Sequence, residues 1–280
     1  MKRFALPALP NPDGMIRLYE KDYHYLVRVR RLKSGMCFDA ILPGGTETRV
    51  RILSTVDNIL IGECFGETST KLLSSIPGIG VPVPSIALFQ GLPKGSKMDI
   101  IVRQAAEGGL SLIVPFESEF SSVRLGKKSP DSFSNEKLKR WERIVREGRQ
   151  QSGSATETEI RPPCNLDALL VFWESIKREY QRPVGILLHQ EPLENGTFHD
   201  YLSNCPDYVV LAVGPEGGFS SREISLFLTA GFRPLVMGNA ILRTETAALY
   251  GAAAIKIILL ESNAWASRVR ESCSSKSPWT

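Results

Sequence analysis

The spacing of apolar positions along this chain changes near residue 85, and the change divides it. Before that point apolar and polar residues alternate in short runs: Leu26-Val-Arg-Val-Arg30, residues 46–53, and Ile59-Leu-Ile-Gly-Glu-Cys64. Cys37-Phe-Asp-Ala-Ile-Leu42 leads into the turn Pro43-Gly44-Gly45. Short strands with turn signals between them predict a small β-barrel over residues 1–73. Residues 74–84 are dense in Pro and Gly and read as a linker. Beyond it the strands become almost wholly apolar: residues 85–90, 111–115, 184–189, 208–213 and 234–237. Helical spacing falls between them. Residues 96–107 place Met98, Ile101, Val102, Ala105 and Ala106 on one face. Residues 135–151 (with Ser134 or Asn135 as cap), 167–178, 220–230 and a long closing stretch, 244–261, follow. Strands of buried type alternating with helices predict an α/β unit over residues 85–266, a parallel sheet covered on both faces. Residues 267–280 are Ser/Lys-rich and are expected to form a loose tail.

Two of these predicted strands run into glycine-rich turns: Leu211-Ala-Val-Gly-Pro-Glu-Gly-Gly-Phe219 and Met237-Gly-Asn-Ala-Ile-Leu-Arg-Thr-Glu-Thr-Ala247. In an open parallel sheet the ligand crevice lies at the carboxyl ends of the strands, where such turns gather. Arg243 and Glu245 follow the second turn directly. Thr244 is a good helix cap. Arg243 is placed against the local rule, because a cation at a helix N-terminus opposes the dipole, and residues that break a local rule are more often functional. The dinucleotide fingerprint, P-loop, zincin and nucleophile-elbow motifs are absent.

Composition is that of a globular chain, 42% apolar and 23% charged. The formal charge of +4 decides less than its distribution. Residues 17–33 carry six cations (Arg17, Lys21, Arg28, Arg30, Arg31, Lys33) against Glu20 and Asp22. Residues 124–146 carry eight (Arg124, Lys127, Lys128, Lys137, Lys139, Arg140, Arg143, Arg146) against Asp131, Glu136 and Glu142. Two such clusters on a near-neutral background point to a polyanionic partner, although either alone also reads as a solvated face. The five scattered cysteines form no C-x-x-C and no zinc spacing, so no metal is expected and a reducing compartment is. Prolines 7, 10 and 12 interrupt any signal-peptide core, and the apolar run 247–260 is broken by Lys256 and too short to span a bilayer. The expectation is a cytoplasmic protein without a membrane partner.

The two glycine turns together resemble the SPOUT class of S-adenosylmethionine-dependent RNA methyltransferases, and within it the 16S rRNA uridine N3-methyltransferases. Met1-Lys-Arg-Phe4 and the segment from His24 to Gly35 resemble that family's PUA-like RNA-binding barrel. Lys94-Gly-Ser-Lys-Met98, Glu107 and the segment from Trp141 to Ser152 resemble its middle portion. The chain departs from the family pattern at Ser154, at Gln104-Ala-Ala-Glu-Gly-Gly109, and at Asn239-Ala240.

The resemblance implies a trefoil-knotted SPOUT domain behind a PUA-like barrel, S-adenosylmethionine as cofactor, the small ribosomal subunit and its 16S rRNA as partner, and a homodimer. It implies a donor site made by Gly214, Pro215, Glu216, Gly217 and Gly218 from one turn, and Met237, Gly238, Ile241, Leu242 and Thr244 from the other. Leu188 and His189 are placed to line the adenine pocket, though His189 alone also reads as a satisfied strand-end histidine. Arg243 is the candidate catalytic group. Glu245 orients Arg243 or accepts a proton, or is simply an acid favoured by a helix N-terminus. Arg3, Arg28, Arg30, Arg31 and Lys94 are the expected RNA contacts; on a strand, Arg28 and Arg30 share a face that Arg31 does not. The closing helix reads as a dimer interface or as intramolecular core. Two other functions stand beside this one: a SPOUT methylase of another base or a ribose 2′-hydroxyl, and a catalytically silent RNA-binding assembly factor.

Overall fold

The structure, a computed structural model, describes residues 3–43, 46–67, 83–125, 135–193 and 196–274. Gly44 and Gly45 of the expected turn, residues 74–82 of the expected linker, Met1, Lys127, Lys128, Asp131, Ser134 and residues 275–280 lie outside that range.

The first unit is a curled five-stranded sheet built from β1 (Phe4–Ala5), β2 (Met15–Leu18), β3 (Cys37–Ile41), β4 (Glu47–Val56) and β5 (Ile59–Glu67), in the order β1-β3-β4-β5-β2. The long β4–β5 hairpin breaks register twice, between Thr48 and Arg49 and between Ile52 and Ser54. Such bulges bend a strand pair and close a small sheet on itself. Phe4, Leu26, Phe38, Val50, Ile52 and Leu60 fill its interior with no exposed surface.

One expectation fails here. Leu26-Val-Arg-Val-Arg30 is not a strand. Residues Glu20–Tyr23 form a helical turn, α1, and His24–Val29 continue it as a π-helical turn that closes with Arg30 N–H donating to Tyr25 O at 2.9 Å. The alternation spans only five residues. The buried positions that decide the local structure are Tyr23 and Leu26, three apart on one helical face, with Val27 packed beside them. The arginines are redistributed accordingly: Arg28 and Arg31 are exposed, whereas Arg30 is half-buried.

The second unit is a seven-stranded sheet in which every pairing is parallel. Its strands are β6 (Ser85–Gly91), β7 (Leu112–Glu117), β8 (Glu159–Ile160), β9 (Cys164–Asn165), β10 (Pro183–Leu188), β11 (Tyr208–Val213) and β12 (Phe232–Leu235). The order is β12-β10-β11-β6-β7-β8, with β9 also on β7. Period two explains why the central strands are apolar throughout. On β11, Val209, Leu211 and Val213 enter one core and Tyr208, Val210 and Ala212 the other. The first core lies under α2 (Lys97–Gly108), α3 (Asn135–Ser152) and α7 (Thr244–Ser274). The second lies under α4 (Leu166–Glu179) and α6 (Ser221–Thr229).

The last expected strand is displaced toward Phe232, and a short helix that the pattern missed, α5 (Phe198–Leu202), carries a Thr197–Asp200 capping box. Helix α7 runs past Glu261 to Ser274, so residues 267–274 of the expected tail are helical. The composition explains this: Ala264-Trp-Ala-Ser-Arg-Val-Arg-Glu271 contains no Gly or Pro, and Pro278 is the first breaker. Lys256 on α7 donates to Gly108 O at 2.6 Å, at the C-terminus of α2. There a cation meets the negative end of the dipole, while burial pushes the ammonium pKa down.

Candidate functional site

Three turns meet at the carboxyl ends of β10, β11 and β12. After β10, His189 N–H donates to Leu235 O at 3.0 Å, and its ring Nδ1 accepts from Glu191 N–H at 3.0 Å. After β11, Gly218 closes a tight turn by donating to Pro215 O at 2.9 Å, and its φ of +70° explains the glycine. After β12, residues 237–242 arch over the same space, turning at Gly238 with φ +83°. Between them lies a cavity of about 350 Å³. Gly214, Pro215, Glu216, Gly217 and Gly218 form one wall, and Met237, Gly238, Ile241 and Leu242 the opposite one. Leu188, His189, Arg243 and Thr244 also line it. Glu245 is not among the lining residues, and Lys97, Gln190 and Asn239, which were not expected as site residues, are.

The first turn is anchored at both ends. At its start Thr244, the first residue of α7, donates its hydroxyl to Gly214 O at 2.6 Å. That hydroxyl accepts from Gln90 Nε2 at 2.9 Å, and Gln90 also donates to Gly91 O at 2.9 Å. Thr244 therefore ties α7 to the turn; it is the first residue of the helix, not the cap that its sequence position suggested. Gln90 is fully buried, and its Oε1 has no hydrogen-bond partner among the described residues. A buried amide oxygen left without a donor costs about 1–3 kcal/mol, so a polar group entering the cavity region has something to satisfy. At the far end, Ser220 and Glu223 form a capping box. The buried Glu223 carboxylate also accepts from Ser118 Oγ at 3.0 Å and Glu119 N–H at 2.9 Å, pinning the turn to the end of β7.

Arg243 is exposed, and its carbonyl accepts the first α7 hydrogen bond from Ala247 N–H at 2.8 Å. Among the described residues its guanidinium forms no ion pair, so Glu245 does not hold it. The cation beside Glu245 is Lys97 instead, 4.0 Å from Oε2. Lys97 Nζ lies 2.7 Å from Glu216 Oε1, and the same carboxylate accepts from Lys94 N–H at 3.2 and 3.3 Å. Burial raises the Glu216 pKa, but the Lys97 ammonium and the N–H groups of Lys94 and Glu216 outweigh it and hold the carboxyl below its ordinary value.

The expected RNA contacts do not form one patch. Arg28 and Arg31 are exposed, and Arg28 lines a shallow cleft with Tyr19, His24 and Asn58. Arg30 buries one guanidinium nitrogen without a partner. Arg3 is ion-paired to Glu47 at 3.1 Å. Lys94 is exposed beside the cavity wall. Among the described residues no group of three His, Cys, Asp or Glu is placed to hold a metal, and no helix is long and apolar enough to cross a membrane.

With that geometry in hand, the chain can be compared with known proteins. A family model described as an RNA methyltransferase domain matches residues 81–256. The ribosomal RNA small subunit methyltransferase E of Synechocystis is 32% identical over 88% of this chain and 74% of its own length. The chain belongs to this methyltransferase family. Its counterpart in Buchnera aphidicola from Schizaphis graminum is 31% identical over 88% of this chain and 91% of its own length. The fold agrees. A putative methyltransferase from Legionella pneumophila, solved with its bound cofactor SAM, superposes with a TM-score of 0.71 at 26% identity over 91% of this chain and 97% of its own. The family member from Neisseria gonorrhoeae, solved with S-adenosyl methionine, gives 0.71 at 23% over 92% and 98%. The α/β fold is thus the SPOUT type, with a curled β-sheet unit before it.

Sequence reasoning missed Gln90 and Lys97. Each left a signal: one polar residue ending an otherwise apolar strand, and a lysine opening a helix where the dipole disfavours it.

Proposed function

We propose that this chain transfers a methyl group from S-adenosylmethionine to N3 of a uridine in small-subunit ribosomal RNA. The observation that carries the reading is the cavity between the two glycine turns, lined by the Arg243 guanidinium, which has no ion pair among the described residues, in a chain of this family. Its volume falls in the range of small-ligand sites. Gly214, Gly217, Gly218 and Gly238 leave bare backbone in its walls, which suits a ligand held in part by N–H and C=O groups. When bound, the donor supplies a methyl already made electrophilic by its sulfonium.

The chain supplies position and a nucleophile. The turn residues 214–218 and 237–242, with Leu188, His189 and Thr244, hold the donor. Uracil N3–H ionises roughly two pH units above neutrality, which costs on the order of 3 kcal/mol. Arg243 offsets much of that by bonding the oxyanion that develops on the ring. Residues 1–73 serve as the RNA-binding barrel and residues 85–266 as the catalytic unit, joined at 74–84. Arg28 and Arg31 with Lys94 take phosphates; Arg30 does so through its exposed face, and Arg3 only by exchanging Glu47. The target is a base in an irregular or single-stranded region, because A-form duplex hides its base edges. Cys37, Cys64, Cys164 and Cys205 are free thiols, which suits the reducing cytoplasm.

A methylation assay tests this: labelled S-adenosylmethionine, small subunits lacking the modification, and nucleoside mass spectrometry. The expected product is 3-methyluridine. Label in another nucleoside moves the function to another SPOUT methylase; donor binding without transfer overturns the catalytic reading.

The working unit in this proposal is a homodimer paired through α7. Leu249, Ala253 and Ile257 sit four residues apart and all are exposed, Leu249 by 38% and Ile257 by 53%. They border an apolar groove of about 230 Å³ shared with α2. An apolar stripe of that length on a helix is ordinarily covered. Ile257→Glu is expected to convert the protein to monomer in sedimentation velocity while its circular dichroism stays that of wild type. A dimer that persists at low micromolar concentration rules this face out.

A further inference from the structure

Lys97 is the first residue of α2, where a positive charge opposes the helix dipole. Local stability therefore does not account for it, and its contacts across the chain do. Its Nζ stands 2.7 Å from Glu216 Oε1, on the turn after β11, and 4.0 Å from Glu245 Oε2, in the first turn of α7. The side chain is 32% exposed and lines the cavity, while that of Glu245 is 17% exposed and does not. Glu245 Oε2 is buried and accepts no hydrogen bond among the described residues. A buried carboxylate oxygen without a donor is costly to hold, and it persists where a nearby cation fixes it.

Building on the methyl-transfer reading, we propose that Lys97 is a positioning residue: its ammonium, shared between Glu216 and Glu245, couples the donor turn to the start of α7. Through that shared contact the donor wall and the Arg243–Glu245 segment keep one relative placement. Glu216 retains the Lys94 backbone N–H, which reaches both its oxygens, when Lys97 is removed, so the donor turn survives the loss. Glu245 retains no ion pair among the described residues. Lys97 thus bears on turnover more than on donor binding.

The experiment is a double-mutant cycle on the full chain with Lys97→Met and Glu245→Gln. Met keeps the length and the helix propensity and removes the charge that the dipole disfavours, so the fold is not weakened. Lys97→Met is expected to lower kcat about 10-fold, inside the range of coupled neighbours, with the donor KM changed by less than about 3-fold. The double variant is expected to lose no more than the worse single variant, and Lys97→Arg to restore most of kcat. Losses that multiply, or a fall in donor affinity that accounts for the whole effect, overturn the proposal. A second readout needs no turnover: the ¹⁵Nζ signal of Lys97 in the free protein is expected to move in both Glu216→Gln and Glu245→Gln. A response to Glu216→Gln alone overturns the sharing. A wild type that transfers no label, while both Gln variants shift the Lys97 signal as expected, overturns the methyl-transfer reading and the role of Lys97 in it but leaves the shared ammonium in place.

Discussion

Arg243→Ala is expected to lower the rate of methyl transfer by about 10²- to 10³-fold while the donor dissociation constant stays within about 3-fold of wild type. The separation follows from the geometry. The donor walls are held by contacts that do not involve the Arg243 side chain: Thr244 and Gln90 at Gly214, and the Ser220–Glu223 box at the other end of the turn. Arg243 contributes its carbonyl to the first hydrogen bond of α7, which alanine supplies equally well. Its guanidinium is exposed and unpaired among the described residues, so its removal leaves no buried partner behind. What disappears is a preorganised cation where charge develops on the base, and a group that acts only there changes kcat and kcat/KM together. Arg243→Lys keeps the charge and loses the planar fork, so it recovers only part of the rate. Single-turnover transfer to small subunits and calorimetric titration with donor separate the two quantities. A variant that transfers methyl at the wild-type rate sinks the assignment.

Much of this architecture can be read from the chain, and the limits are physical. The central strands of the parallel sheet are legible because burial on both faces leaves few polar residues in them, as in Tyr208–Val213. The two glycine turns are legible because φ near +70° and +83° at Gly218 and Gly238 is a backbone requirement that sequence records directly. The segment from His24 to Val29 is not, because five residues of alternation also fit a helical turn whose buried positions are three apart. Partners distant in sequence are not legible either. Gln90 and Thr244 are 154 positions apart, and nothing local in either says that they meet. The same holds for Lys97 with Glu216 and for Arg3 with Glu47, where a charge that reads as free is already paired. The trefoil came with the family resemblance, since a knot has no period to read.

Gly91 shows the same limit, and the largest expected effect on donor binding belongs to it. It ends β6 directly after Gln90, and its backbone φ is one that any residue adopts. Nothing in the sequence marks it as special. Yet a Cβ built there would lie 2.6 Å from Pro215 Cδ, 2.8 Å from Pro215 N and 3.1 Å from Gly214 C. These are atoms of the donor turn, two of them backbone, and no rotamer change relieves the overlap. β6 lies between β11 and β7 in the middle of the sheet and is buried, so it is the harder side to move. The turn faces an open cavity and is the softer one. Gly91→Ala is therefore expected to push Gly214 and Pro215 outward and to stretch the Thr244–Gly214 hydrogen bond. Overpacking of this kind costs about 1–3 kcal/mol, which, taken up by the turn, weakens donor binding by about 5- to 150-fold. The loss is expected in the dissociation constant, with kcat at saturating donor closer to wild type, the opposite split from Arg243→Ala. Calorimetric titration with S-adenosylmethionine reads it directly. Wild-type affinity in Gly91→Ala, with the thermal midpoint lowered instead, places the strain in the sheet and removes the turn as the element that yields.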